Sequence, residues 1–185
     1  HERPRARALP RRRPEGRGAA GPPLILQAIY LGEDLPNQES EKVPAYRFFI
    51  EIFERRLGSI DNFPLEFRDS LLRAAYYSGG IPRVFLQQLL DAATNASLAG
   101  RNIPNDVDFA DAARAQQLSL RNILRKGDRE ALRKTLEGDD DLEMPFDRRL
   151  RLIEEGALLE YSTWEPNTRS IARPAPLLRS ILTEN

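Results

Sequence analysis

A mainly α-helical protein is the expectation from this sequence: a helical bundle followed by a smaller α+β unit built around one β-hairpin. Three observations carry it. From Pro44 to Leu124, apolar residues recur at three- and four-residue spacing with charged residues between them, the pattern of amphipathic helices. Glycines and prolines punctuate these runs at Gly58, Pro64, Gly79, Gly80, Pro82, Gly100 and Pro104, where they stop one helix and start the next. Near the C-terminus the pattern changes to two short apolar runs on either side of a turn-forming stretch.

Three segments follow from this pattern: an arm over residues 1–40, a helical domain over 41–104 and a second unit over 105–185. Residues 1–23 hold Arg3, Arg5, Arg7, Arg11, Arg12, Arg13 and Arg17 with five prolines. So little apolar content cannot bury enough surface to fold, and a basic, disordered arm is expected there. Leu24 to Leu31 is a short apolar run that reads either as a strand or as a docking segment, and residues 32–42 read as a polar loop.

The first helix starts at Pro44 and carries Tyr46, Phe49, Ile50, Phe53 and Leu57 on one stripe up to Gly58. The second begins near Pro64, with Phe67, Leu71, Leu72, Ala75 and Tyr76 on its apolar face. Gly79 and Gly80 end it, because glycine enters the left-handed conformation of a helix C-cap without a Cβ clash. A third helix spans Ile81 to Ala99, with Pro82 in its first turn, where a missing N–H costs nothing. After the break at 103–105, Asn105 or Asp106 caps a fourth helix bearing Val107, Phe109, Ala110, Ala113, Leu118, Leu120, Ile123 and Leu124. Three helices around an apolar centre, with a fourth leaving as a connector, is the resulting picture.

In the last third, a short helix starts at Gly127 and Asp128, an acidic loop covers 138–143, and another helix runs from Pro145 to Glu155. Ala157–Tyr161 reads as a strand, Pro166 and Asn167 make a turn, and Arg169–Ala172 returns as a second strand before a closing helix after Pro176. Helix, helix, strand, turn, strand is the order of a winged helix. In DNA-binding winged helices the helix before the hairpin enters the major groove. Here that helix presents Arg148, Arg149 and Arg151, and the wing adds Arg169 and Arg173, all able to meet phosphates or guanine edges. Asp147, Glu154 and Glu155 oppose such a role, so a protein-binding winged helix stands beside the DNA-binding one.

The run Ser78, Gly79, Gly80, Ile81, Pro82, Arg83 places a cation at the positive end of a helix dipole, which is unfavourable unless an anion is also present. Followed by Phe85, Leu86, Leu89, Leu90 and Ala93, this run resembles the sensor-2 motif in the helical lid of AAA+ and STAND-type P-loop ATPases. The resemblance covers about residues 44 to 104, with a weaker likeness of the remainder to the winged helix that often follows such lids. It implies that Arg83 reaches over bound ATP and senses its terminal phosphate, with Gly79, Gly80 and Pro82 shaping the approach. A two-glycine linker carrying a solvated arginine is the plainer alternative.

No G-x-x-x-x-G-K-[ST] phosphate loop occurs, nor an apolar strand ending in paired acids to hold magnesium. This chain alone is not expected to hydrolyse ATP. The resemblance implies a partner, an N-terminal NTPase domain or subunit that would hold ATP and its magnesium, plus a protein or DNA partner at the winged helix and possible oligomers. Beginning at His1 rather than at methionine agrees with a fragment, although processing would look the same. A freestanding winged-helix DNA-binding or adaptor protein without a nucleotide role is the competing class.

Composition narrows the remaining chemistry. With 28 basic and 28 acidic residues the formal net charge is zero, so nothing pulls the whole chain toward nucleic acid. There is no cysteine, which removes disulfides and thiolate metal sites and fits a reducing, cytoplasmic setting. The single histidine, His1, leaves no Ser-His-Asp arrangement or histidine metal cluster. Asp139, Asp140 and Asp141 lack the ligand spacing of a calcium loop.

Overall fold

The computed structural model describes residues 28–138, 144–161 and 170–183. Helix α1 spans Pro44–Leu57, α2 Leu65–Tyr77, α3 Pro82–Leu98 and α4 Asp106–Ile123. These are followed by α5 (Asp128–Leu136), α6 (Phe146–Glu154), strand β1 (Leu158–Tyr161), strand β2 (Ile171–Pro174) and a short α7 (Arg179–Thr183). The protein is thus mainly helical with one two-stranded antiparallel sheet.

Phenylalanines make the first core. Phe49 packs edge-on to Phe85 at 5.1 Å, Phe63 stacks on Phe67 at 4.6 Å, and Phe67 meets Phe109 of α4 at 5.6 Å. Such ring pairs contribute about 0.5–1.5 kcal/mol each beyond their buried area. The stripe of α1 buries Tyr46, Phe49, Ile50 and Phe53, whereas Leu57, expected on the same stripe, faces solvent beside Gly58. The second core gathers Leu132, Leu152, Leu158 and Leu178 from α5, α6, β1 and the 3-10 turn at Pro176–Leu178.

Helix α4 differs from the connector the sequence suggested. Asn105 caps it, accepting from the amides of Val107 and Asp108 while Asp108 accepts from the amide of Asn105, a reciprocal box. Its first half lies along α2 and α3, burying Phe109 and Ala112 in the first core, with Gln88 Nε2 donating to Gln116 Oε1 at 2.6 Å. Its second half sends Leu120 and Ile123 against the second core, and Gln117 donates to the Leu177 carbonyl at 2.7 Å. The helix therefore serves both cores.

Three further differences are local. Residues 32–42 include a 3-10 turn at Gln38–Lys42, because Asn37 and Ser40 cap each other where a plain loop was expected. The register Leu158↔Pro174 to Tyr161↔Ile171 places β2 two residues later than the expected Arg169–Ala172. Pro174 sits at the end of the ladder, where its missing N–H is tolerated. Residues 28–31 form no strand; the backbone N–H of Ile29 donates to Gly80 O at 3.0 Å, while Ile29 and Leu31 pack on the first core and Ala28 on the second. The described half of the Leu24–Leu31 run, residues 28–31, thus docks on the bundle. The basic arm over residues 1–23, the first half of the Leu24–Leu31 run, the Asp139–Asp141 cluster, the turn at Pro166 and Asn167, and Arg169 all lie outside the described residues.

Candidate functional site

Ser78 closes α2, its amide donating to Ala74 O at 2.9 Å and its hydroxyl to Ala75 O at 2.6 Å. Gly79 and Gly80 then take φ of 64° and 74°, the left-handed region that favours glycine. Their lack of side chains serves more than the turn. A Cβ on Gly80 would lie 1.8 Å from the carbonyl oxygen of Ile29, and one on Gly79 would lie 2.2 Å from Leu159 Cδ1 of the hairpin. The two glycines are where the N-terminal segment and the hairpin both press against the helical bundle.

Two residues further on, Pro82 occupies the first position of α3 and Arg83 the second. Arg83 is exposed, and its guanidinium has no hydrogen-bond or ion-pair partner among the described residues. It therefore sits in the positive field of a 17-residue helix with nothing to offset it. An anion placed there would gain from both the guanidinium and the free N–H groups of the first turn.

The hairpin reaches the same glycines. The Tyr161 hydroxyl donates to Gly79 O at 3.2 Å, and its ring meets Tyr30 edge-on at 5.2 Å. Tyr30 donates to Glu33 Oε1 at 2.7 Å, Arg173 of β2 donates to the same oxygen at 3.1 Å, and Arg179 binds both the carboxylate and the carbonyl of Glu33. Tyr76 of α2 also donates to Glu33 O, at 2.8 Å, and lies under the Arg179 guanidinium, 5.9 Å from the ring centroid. Glu33 thus ties α2, the hairpin and α7 together.

Protonation follows the same geometry. Burial alone would push Glu33 up, but the Tyr30 hydrogen bond and the guanidinium groups of Arg179 and Arg173 outweigh it and hold the carboxyl below its ordinary value. Tyr30 is pushed up to about 12, by burial first and then by its bond to Glu33. Burial likewise raises Tyr161 and Tyr76.

The arginines singled out for nucleic acid are mostly engaged within the chain. Arg149 grips Glu160 of β1 with Nε at 2.9 Å and Nη2 at 2.6 Å. Arg151 bonds Asp128 at 2.7 Å and Glu155 at 2.6 Å, and Arg148 lies 3.6 Å from the other Asp128 oxygen. Asp128, 1% exposed, also accepts from the amide of Arg125 at 2.6 Å, closing the turn into α5. Arg148, Arg149 and Arg151 fasten α6 to α5 and β1, and Arg173 is paired with Glu33. Sequence reasoning missed the counter-ions Glu33, Asp128 and Glu160, since none has a local pattern that marks its distant partner.

No family model matches this chain, and neither does any curated protein or solved structure. Among the described residues no helix is long and apolar enough to cross a membrane.

Proposed function

We propose that this chain is the helical lid and winged-helix portion of a P-loop ATPase of the AAA+/STAND type, in which Arg83 senses the terminal phosphate of ATP and the hairpin unit relays lid position to a protein partner. The observation that carries the reading is the packing of the motif. Arg83, exposed and unpaired, lies three residues after Gly80, and the glycines before it are clamped by Ile29 on one side and by Leu159 and Tyr161 on the other. Any pull on Arg83 acts on a turn that the hairpin also holds.

The residues of this chain fit only part of a nucleotide site. Arg83 and the first turn of α3 would meet a phosphate, while the loop that cradles phosphates and the acids that hold magnesium must come from elsewhere. The intramolecular pairing of Arg148, Arg149 and Arg151 favours a protein partner over DNA at the winged helix.

Arg83→Ala in the complete protein is the test. Transition-state contacts by arginine in phosphoryl transfer are worth several orders of magnitude in some NTPases, and a sensing contact less, so turnover or its partner-coupled response is expected to fall about tenfold or more. Unchanged ATP affinity, turnover and coupled response would overturn the sensor role. Independently, the coding sequence upstream and in frame is expected to hold a phosphate loop and an apolar strand ending in acids.

A further inference from the structure

A cleft of about 550 Å³ opens between α2, α4 and the segment around Pro176–Ser180, on a wall of the bundle that does not include Arg83. Its size is that of a small-molecule site. Tyr77 and Phe109 supply apolar and aromatic wall, while Arg73 and Arg114 line it with guanidinium groups that have no partner among the described residues. Asp106 is the single acid among the lining residues, and Arg179, the third lining arginine, is already held by Glu33.

Two polar atoms of the lining residues are buried without a partner. Ser70, 2% exposed, has an unpartnered hydroxyl, and Arg179 has an unpartnered Nε although its other nitrogens bind Glu33. Buried donors without acceptors are rare in folded proteins and are ordinarily met by an ordered water; closed off from the cleft surface, these two polarise its wall without touching an occupant. We propose that this cleft binds an organic anion: an apolar or aromatic body against Tyr77 and Phe109, and an acidic group, carboxylate, sulfonate or phosphate, toward the exposed guanidinium groups of Arg73 and Arg114.

The site stands apart from the proposed nucleotide-sensing role, so each can fail alone. The probe is 1-anilinonaphthalene-8-sulfonate, whose aromatic body and single negative charge match the cleft, titrated by fluorescence against the full chain. One saturable site is expected, with the dissociation constant raised at least tenfold by Arg73→Glu with Arg114→Glu and binding abolished by Ala110→Trp, which fills the cleft from an exposed helix position. All three positions are exposed, so folding is expected to persist and is checked by cooperative thermal melting. Uncharged 1-anilinonaphthalene is expected to bind at least tenfold more weakly, and Arg83→Ala to leave probe binding unchanged. No saturable binding, equal binding of the neutral compound, or indifference to the double charge reversal would each overturn the proposal.

Discussion

Replacing Gly80 by alanine tests the junction directly, because one methyl group meets two separable penalties. The first is conformational: at φ 74° an L-residue with a Cβ loses about 1–2 kcal/mol relative to glycine. The second is steric. The new Cβ would lie 1.8 Å from Ile29 O, so the 28–31 segment must withdraw by more than an ångström. That movement breaks the 3.0 Å bond from the Ile29 amide to Gly80 O, worth about 0.5–1.5 kcal/mol net, and pulls Ile29 from the first core. Losing part of that burial costs roughly 1–2 kcal/mol more. Gly100 supplies the control, since it has φ 73° and open space around its would-be Cβ. Gly100→Ala therefore reports the backbone penalty alone. Urea unfolding is expected to show Gly80→Ala less stable than Gly100→Ala by about 2 kcal/mol, with lost hydrogen-exchange protection at the Ile29 amide in the former only. Equal destabilisation with the Ile29 amide still protected would refute the clamp.

Acid and alkali should strain the junction from opposite sides. Glu33 is held below its unfolded value, so its stabilisation is complete above that value, about 4.3, and is lost as pH falls through the lower folded value; Glu33→Gln should flatten this acid limb in pH-dependent melting. Tyr30 is raised, so its contribution is complete below about 10 and is lost as pH rises from there toward about 12; Tyr30→Phe should shallow that alkaline decline. Asp128→Asn should cost about 2–3 kcal/mol in urea unfolding, because it leaves the half-buried Arg151 with one carboxylate and Arg148 with none. The partly exposed pair Arg149–Glu160 should lose about 1 kcal/mol on Arg149→Met.

Sequence pattern made the helices legible because their stop signals are local: Gly58, Gly79 and Gly100 are read within one turn, and Asn105 and Asp106 mark the start of α4, where the cap falls to Asn105. Where the chain's reading went astray, long-range packing decided. Leu57 follows the stripe of α1 but lies beyond the last layer of the core, and α4 stays with α2 and α3 because Phe109 completes a cluster begun by Phe67, 42 positions earlier. The site was legible in part for the same reason. Ser78 to Arg83 could be found as a motif, but that Gly79 faces Leu159 and Gly80 faces Ile29 depends on contacts across 80 and 51 positions. Likewise three arginines in four positions look like a nucleic-acid face until Asp128, Glu155 and Glu160 arrive to neutralise them.

Energetics limit what the proposed relay can do. An anion at a helix N-terminus gains about 0.3–1 kcal/mol, up to about 2 in partly buried geometry, and a charge-assisted bond from Arg83 adds about 1.5–3. Opposing this, the hairpin holds the glycine turn with one tyrosine hydrogen bond at 3.2 Å and the packing of Leu159, contacts worth a few kcal/mol together. The two sides are matched within the range of ordinary allosteric coupling, about 1–3 kcal/mol. A complete switch from 1:99 to 99:1 needs about 5.5 kcal/mol of differential binding, which one arginine does not provide. In the proposed assembly, Arg83 therefore biases the position of the hairpin unit by roughly five- to a hundredfold, and full switching requires that the catalytic domain grip the lid at further points that close with the same nucleotide. The clamp at Gly79 and Gly80 sets how much of that bias is transmitted: a looser turn would let Arg83 follow the phosphate while the hairpin stays where it is.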